Sequence, residues 1–124
     1  MTGTPQERGM RYIGVLFPDK WLQNHSERIG EIFFRPMGNI PEETVGRQAM
    51  AIGAWKGTTG RLGEIRSPVL IITGSEDRLV IPQNALFLSQ NIPHAHLVLI
   101  ENGGHGLMFQ CPDMFCEKVL DFLE

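Results

Sequence analysis

Two apolar runs, Val69-Leu70-Ile71-Ile72-Thr73 and Leu97-Val98-Leu99-Ile100, each break off at small residues and then present one functional side chain. The first passes through Gly74-Ser75-Glu76 to Asp77, and the second through Glu101-Asn102-Gly103-Gly104 to His105. Short runs rich in Val, Ile and Leu, without polar alternation, read as strands buried on both faces, as in a parallel sheet. Loops leaving the carboxyl ends of such strands are where open α/β folds keep their sites. An acid and then a histidine at successive strand ends form a pair in which the carboxylate can fix the imidazole tautomer and the imidazole can act as a base.

The segments around these runs fit that layout. Pro82 opens a helix to about Gln90 that carries Ala85, Leu86 and Leu88, and Ile92-Pro93 stops it. Pro112-Asp113 starts a last helix with Phe115, Val119, Phe122 and Leu123 on its buried face. From Val69 onward the order is therefore β-α-β-α, with strands at about 69–73 and 96–100 pairing in parallel through a right-handed crossover.

The first half reads as helical. Residues 1–9 look like a polar tail, and residues 10–17 fit either a strand or the approach to a helix. Pro18-Asp19-Lys20-Trp21-Leu22 reads as a helical turn. Ser26 is placed to cap a helix with Ile29, Ile32 and Phe33 on one face, ended by Arg35-Pro36-Met37-Gly38-Asn39. Pro41, Glu42 and Glu43 open another helix whose Val45, Ala49, Ile52 and Trp55 recur at helical spacing. Trp21 and Trp55 are expected to pack these helices. The organisation expected is one folded unit: a tail (1–9), a helical region (10–61) and the β-α-β-α unit (62–124).

Length and charge narrow the function classes. A chain of 124 residues suits one domain. A formal net charge of −3 gives no footprint for nucleic acid or an anionic membrane. No apolar run approaches the roughly 20 residues of a membrane helix, and the N-terminus carries no basic-then-apolar signal pattern, so a cytoplasmic location is expected. The two cysteines, Cys111 and Cys116, are too few for a disulfide framework and are expected as free thiols.

The segments Ser67-Pro68-Val69-Leu70-Ile71-Ile72-Thr73-Gly74-Ser75-Glu76-Asp77, Val80-Ile81-Pro82 and Glu101-Asn102-Gly103-Gly104-His105-Gly106 resemble the C-terminal portion of an α/β-hydrolase of the esterase and enol-lactonase type. The resemblance covers about residues 62–124, and the helical region before it resembles the cap over the pocket of such enzymes. It implies a partial α/β-hydrolase fold with a short parallel sheet flanked by helices. It also implies Asp77 as the triad acid and His105 as the triad base.

The family's nucleophile, in a G-x-S-x-G turn, has no counterpart here. The four serines, Ser26, Ser67, Ser75 and Ser89, all lie outside that pattern, and no upstream oxyanion-hole segment is present. The expectation is a fragment or split subunit of a carboxylic-ester or lactone hydrolase, inactive alone and needing no cofactor. The alternative is a non-catalytic, self-associating α/β module, either holding a small apolar ligand in the old pocket or having no function beyond folding. The edge of strand Val69 to Thr73 that would face the missing strand is expected to pair with a second copy or with a complementary chain. Weaker constellations are a zinc site drawn from His94, His96 and His105 with Cys111 or Cys116, and Ser75 as nucleophile. The zinc site has no supporting spacing, and the resemblance makes Ser75 part of the acid loop. A structural role for Asp77 would cap its own turn or pair with Arg78.

Overall fold

The computed structural model describes residues 4–33 and 40–124. The chain opens with helix α1 (Pro5–Leu16), so residues 5–9 are helical rather than the polar tail the sequence suggested. The cause is a capping box. The Thr4 hydroxyl accepts from the Glu7 N–H at 3.2 Å, the Glu7 carboxylate accepts from the Thr4 N–H at 2.8 Å, and Pro5 stands at the first helical position.

Helices α2 (Asp19–Asn24) and α3 (Ser26–Phe33) follow. Ser26 is the first residue of α3 rather than its cap. Ile13, Phe17 and Ile29 form a small core, edged by Leu16, Trp21 and Leu22. Phe17 stacks on Trp21 at 4.7 Å between ring centroids, and Trp21 on His25 at 4.5 Å. The helix end expected at residues 35–39 and the Ile32 and Phe33 side chains expected on one face of this helix lie outside what the structure describes.

Helix α4 (Glu42–Ala54) forms where the sequence places it, but none of its residues is buried. Val45, Ile52 and Trp55 are largely exposed, Trp55 at 65%, so the stripe read as a packing face is not buried by the described residues. Periodicity reports that a helix has an apolar stripe; it carries no information on what covers that stripe.

After a 3-10 helix (Thr59–Glu64) come β1 (Val69–Gly74), α5 (Pro82–Asn91), β2 (Ala95–Ile100), the short α6 (Leu107–Gln110) and α7 (Pro112–Leu123). The two strands pair in parallel, Val69 opposite Ala95 and Gly74 opposite Ile100, and α5 packs on both. The short parallel sheet flanked by helices that the resemblance implies is thus present, with two strands. In α7, Phe115, Val119 and Phe122 are half-buried, whereas Leu123, expected on the buried face, is 71% exposed. Among the described residues no helix is long and apolar enough to cross a membrane.

β1 pairs with β2 alone among the described residues. Beside Ile71, Ile72 and Thr73 runs an apolar groove of about 260 Å³, lined also by Val80, Ala85, Leu88, Leu107, Met108 and Phe115. Asp77 and His105 also line this groove.

Candidate active site

The loops that follow β1 and β2 are fastened to each other. The Ser75 N–H donates to the Ile100 carbonyl at 2.9 Å and the Glu76 N–H to the Gly103 carbonyl at 2.8 Å. The Asn102 N–H donates to the Ser75 hydroxyl at 2.8 Å. The approach requires glycine at position 74, because a Cβ there would lie 2.1 Å from the Gly103 carbonyl oxygen.

This fastening brings together the two residues expected from the sequence. Asp77 Oδ2 accepts from His105 Nδ1 at 3.0 Å, with the Asp77 side chain 7% exposed and that of His105 37% exposed. The other carboxylate oxygen, Oδ1, accepts from the Leu79 N–H at 2.9 Å and the Val80 N–H at 2.8 Å. Two backbone donors on one oxygen hold the carboxylate plane, so the remaining oxygen has a fixed direction. With an ionised carboxylate able only to accept, Nδ1 carries the proton and Nε2 keeps its lone pair. The geometry supplies a tautomerically fixed imidazole with one nitrogen available as a base.

The turn-capping role weighed for Asp77 is thus real and coexists with the pairing to His105, one oxygen serving each. Arg78 does not pair with Asp77. Its guanidinium forms a two-pronged bond to Asp19 of α2, Nη1 to Oδ1 at 3.1 Å and Nη2 to Oδ2 at 3.0 Å. That bond holds the Asp19 carboxyl below the usual carboxylate range and raises the guanidinium above its own.

A second set of contacts seats the histidine loop on the end of α1. The Gly106 N–H donates to the Leu16 carbonyl at 2.8 Å. A Cβ on Gly104 would meet that same oxygen at 2.6 Å, and one on Gly106 would meet the Phe17 ring at 2.6 Å. Sequence reading missed one further participant, Gln110. Its amide accepts from the Gly104 N–H at 2.9 Å and donates to the Asn102 carbonyl at 2.7 Å.

The other candidates fall elsewhere. Ser75 spends its hydroxyl oxygen on Asn102, and the Ser89 hydroxyl donates to the Leu86 carbonyl at 2.8 Å. No serine hydroxyl bonds His105 among the described residues. His94 sits in the turn before β2 with φ of 60°, and His96 meets the Phe122 ring edge-on at 5.7 Å. No group of three or more His, Cys, Asp or Glu side chains among the described residues is arranged to hold a metal ion. Cys111 and Cys116 are free thiols.

Residues 33–112 match the family model described as the alpha/beta hydrolase fold. The "Putative carbamate hydrolase RutD" of Agrobacterium fabrum is 32% identical over 114 residues, which is 87% of this chain and 41% of that protein. The 2-hydroxy-6-oxononadienedioate/2-hydroxy-6-oxononatrienedioate hydrolase 1 of Dechloromonas aromatica is 40% identical over 63 residues, 51% of this chain and 22% of that one. Among solved structures, a thermophilic esterase from Thermogutta terrifontis superposes with a TM-score of 0.80 at 23% identity, over 96% of this chain and 43% of its own. Est816, described as an N-acyl homoserine lactone degrading enzyme, superposes with a TM-score of 0.72 at 26% identity, over 97% of this chain and 52% of its own. The chain thus spans about two fifths of the length of the RutD-type relatives it matches. By its sequence match, its parallel strand pair and the helices around it, the chain belongs to the α/β-hydrolase fold family.

Proposed function

We propose that this chain is the acid–histidine portion of a carboxylic-ester or lactone hydrolase, in which Asp77 orients His105 and His105 Nε2 takes the proton of a nucleophile held outside these 124 residues. The observation that carries the reading is the Asp77–His105 bond, with Oδ1 held by two backbone donors and Nε2 left open. In such a reaction the imidazole takes the hydroxyl proton as the nucleophile attacks the acyl carbon, then returns it to the leaving oxygen. Oxyanion donors and the nucleophile come from elsewhere, so the chain alone is inactive. The activities named for the relatives, on a carbamate, a dienedioate and an acyl homoserine lactone, support a substrate with an electrophilic carbonyl.

The free edge of β1 is where the missing portion would attach. An extended segment laid along Val69–Gly74 would gain main-chain bonds and fill the apolar groove that reaches Asp77 and His105. A complementary hydrolase chain or a second copy of this chain could supply it. A second copy, joined strand to strand across a two-fold axis, is the non-catalytic reading. The exposed apolar side chains along α4 favour some such association, since Met50, Ile52 and Trp55 are all more than three-fifths exposed.

The test mixes the chain with the part of the Thermogutta esterase outside the matched 43% and follows hydrolysis of a short-chain activated ester, with the solution mass recorded. Turnover in the mixture that His105→Ala and Asp77→Ala remove supports the hydrolase reading. Equal turnover with all three chains rejects it. A homodimer that excludes the esterase portion supports the non-catalytic module.

A further inference from the structure

We propose that Gln110 is a positioning residue for His105: its amide closes the histidine loop and thereby holds the imidazole against Asp77. This rests on the dyad reading above and adds a residue to it. Gln110 is the last residue of α6, and its side chain reaches back over the loop. Oε1 accepts from the Gly104 N–H at 2.9 Å while Nε2 donates to the Asn102 carbonyl at 2.7 Å. The amide can sit only one way round, since a flip would set N–H against N–H and carbonyl against carbonyl.

The position of these bonds gives Gln110 its role. His105 stands between Gly104 and Gly106. Gly104 is pinned by Gln110, and Gly106 by the Leu16 carbonyl at 2.8 Å. Between those two pins the imidazole has one hydrogen-bond partner among the described residues, Asp77. Asn102, the other residue held by Gln110, has φ of 56°, a left-handed conformation that needs support from its surroundings. Released from the amide, the loop could relax at Asn102 and carry Gly104 and His105 with it. A loop free to move would lengthen the Nδ1–H···Oδ2 bond and let water compete for the proton, so the two imidazole tautomers would mix.

Glutamine is suited to this task because one planar group must accept from an N–H and donate to a carbonyl. A glutamate at this position retains the acceptor and loses the donor, and a methionine of similar length has neither.

The experiment uses the whole 124-residue chain, nitrogen-15-labelled, at alkaline pH. Imidazole NMR reads the tautomer and the solvent exchange of the Nδ1 proton, and circular dichroism reads folding. Wild type should show a protonated Nδ1, a bare Nε2 and slow exchange. Gln110→Met, with wild-type helix content, should show the two nitrogen resonances drawn together. Its Nδ1 proton should exchange about tenfold faster, the scale of one to two neutral hydrogen bonds lost from a local opening equilibrium. Gln110→Glu should fall between, because Gly104 keeps its acceptor.

A folded Gln110→Met chain with the wild-type spectrum and exchange rate overturns the inference and leaves the dyad reading standing. If Gln110→Met does not fold, Gln110→Glu decides: a wild-type imidazole signature overturns the inference, and an intermediate one supports it. A wild-type chain that lacks the protonated Nδ1 overturns the dyad reading, and the inference with it.

Discussion

The carbonyl of Leu16, at the end of α1, accepts the Gly106 N–H at 2.8 Å, so the N-terminal helices hold the loop that carries the histidine. The contact is close on every side. Gly104 and Gly106 both face the Leu16–Pro18 segment with no room for a side chain, and Phe17 beneath them is 1% exposed. The region that resembles a cap is therefore also a footing for the site.

Gly106→Ala should expose that dependence. Its Cβ would lie 2.6 Å from two atoms of the Phe17 ring, a buried group with little freedom to move. Overpacking of this kind costs about 1–3 kcal/mol. For a domain of this size the midpoint of thermal unfolding should fall by roughly 3–15 °C. Gly63→Ala, where a Cβ meets nothing within 4 Å, is the control and should leave the midpoint nearly unchanged.

The two oxygens of Asp77 predict an order among substitutions. Asp77→Asn keeps an acceptor for the Leu79 and Val80 N–H groups, whereas Asp77→Ala removes the acceptor for both. Leaving two part-buried donors without their acceptor costs up to about 1–3 kcal/mol, the figure for fully buried groups. Asp77→Ala should therefore melt well below Asp77→Asn. Ester turnover by the complemented enzyme should fall in both, by about 10⁴-fold for Asp77→Asn if the wrong tautomer is the cause. Denaturation and rate measurements on the same preparations separate the two roles.

Much of this site was legible before the fold was known, and the illegible parts share a cause. Asp77 and His105 stood out because each follows a short apolar run and small residues, a local pattern that the parallel strands then bring together. The start of α1 is also local, written in Thr4-Pro5-Gln6-Glu7, but its polar composition resembles that of a tail. Arg78 and Asp19 are 59 residues apart, and no local pattern pairs them. Gln110 was invisible for a different reason: an amide at the end of a short helix acquires meaning only when the loop folds back beneath it. The exposed stripe of α4 marks the limit of periodicity, which shows that a helix has an apolar face and not what meets it.

The Asp19–Arg78 pair gives the contact between α2 and the acid loop a pH dependence. Hydrogen bonding and charge attraction from Arg78 lower the Asp19 carboxyl below its ordinary value of 3.8. A group whose folded pKa is depressed contributes stability that is present above the unfolded value and is lost as pH falls through the folded one. Stability measured from neutral pH downward should therefore fall below about pH 4, the ordinary carboxylate range, more steeply in wild type than in Asp19→Asn. Because both side chains are more than half exposed, the difference should be small and should shrink further in high salt.

The two thiols should react at different rates. Burial raises the Cys111 thiol above its ordinary value, and its Sγ–H donates to the Leu107 carbonyl at 3.2 Å. Cys116, one and a half turns further along α7, is exposed. Since the thiolate is the reactive form, iodoacetamide at neutral pH should label Cys116 first, and Cys111 should become comparably reactive only in denaturant. Peptide mapping of a time course checks the order. Cys111 also lies directly after Gln110, so its protection reports on the same corner of the fold as the histidine loop. Gly106→Ala, which strains that corner from the Phe17 side, should speed alkylation of Cys111 and leave Cys116 as it was. Equal acceleration at both thiols would mean that α7 as a whole had loosened, and the strain would then not be confined to the loop.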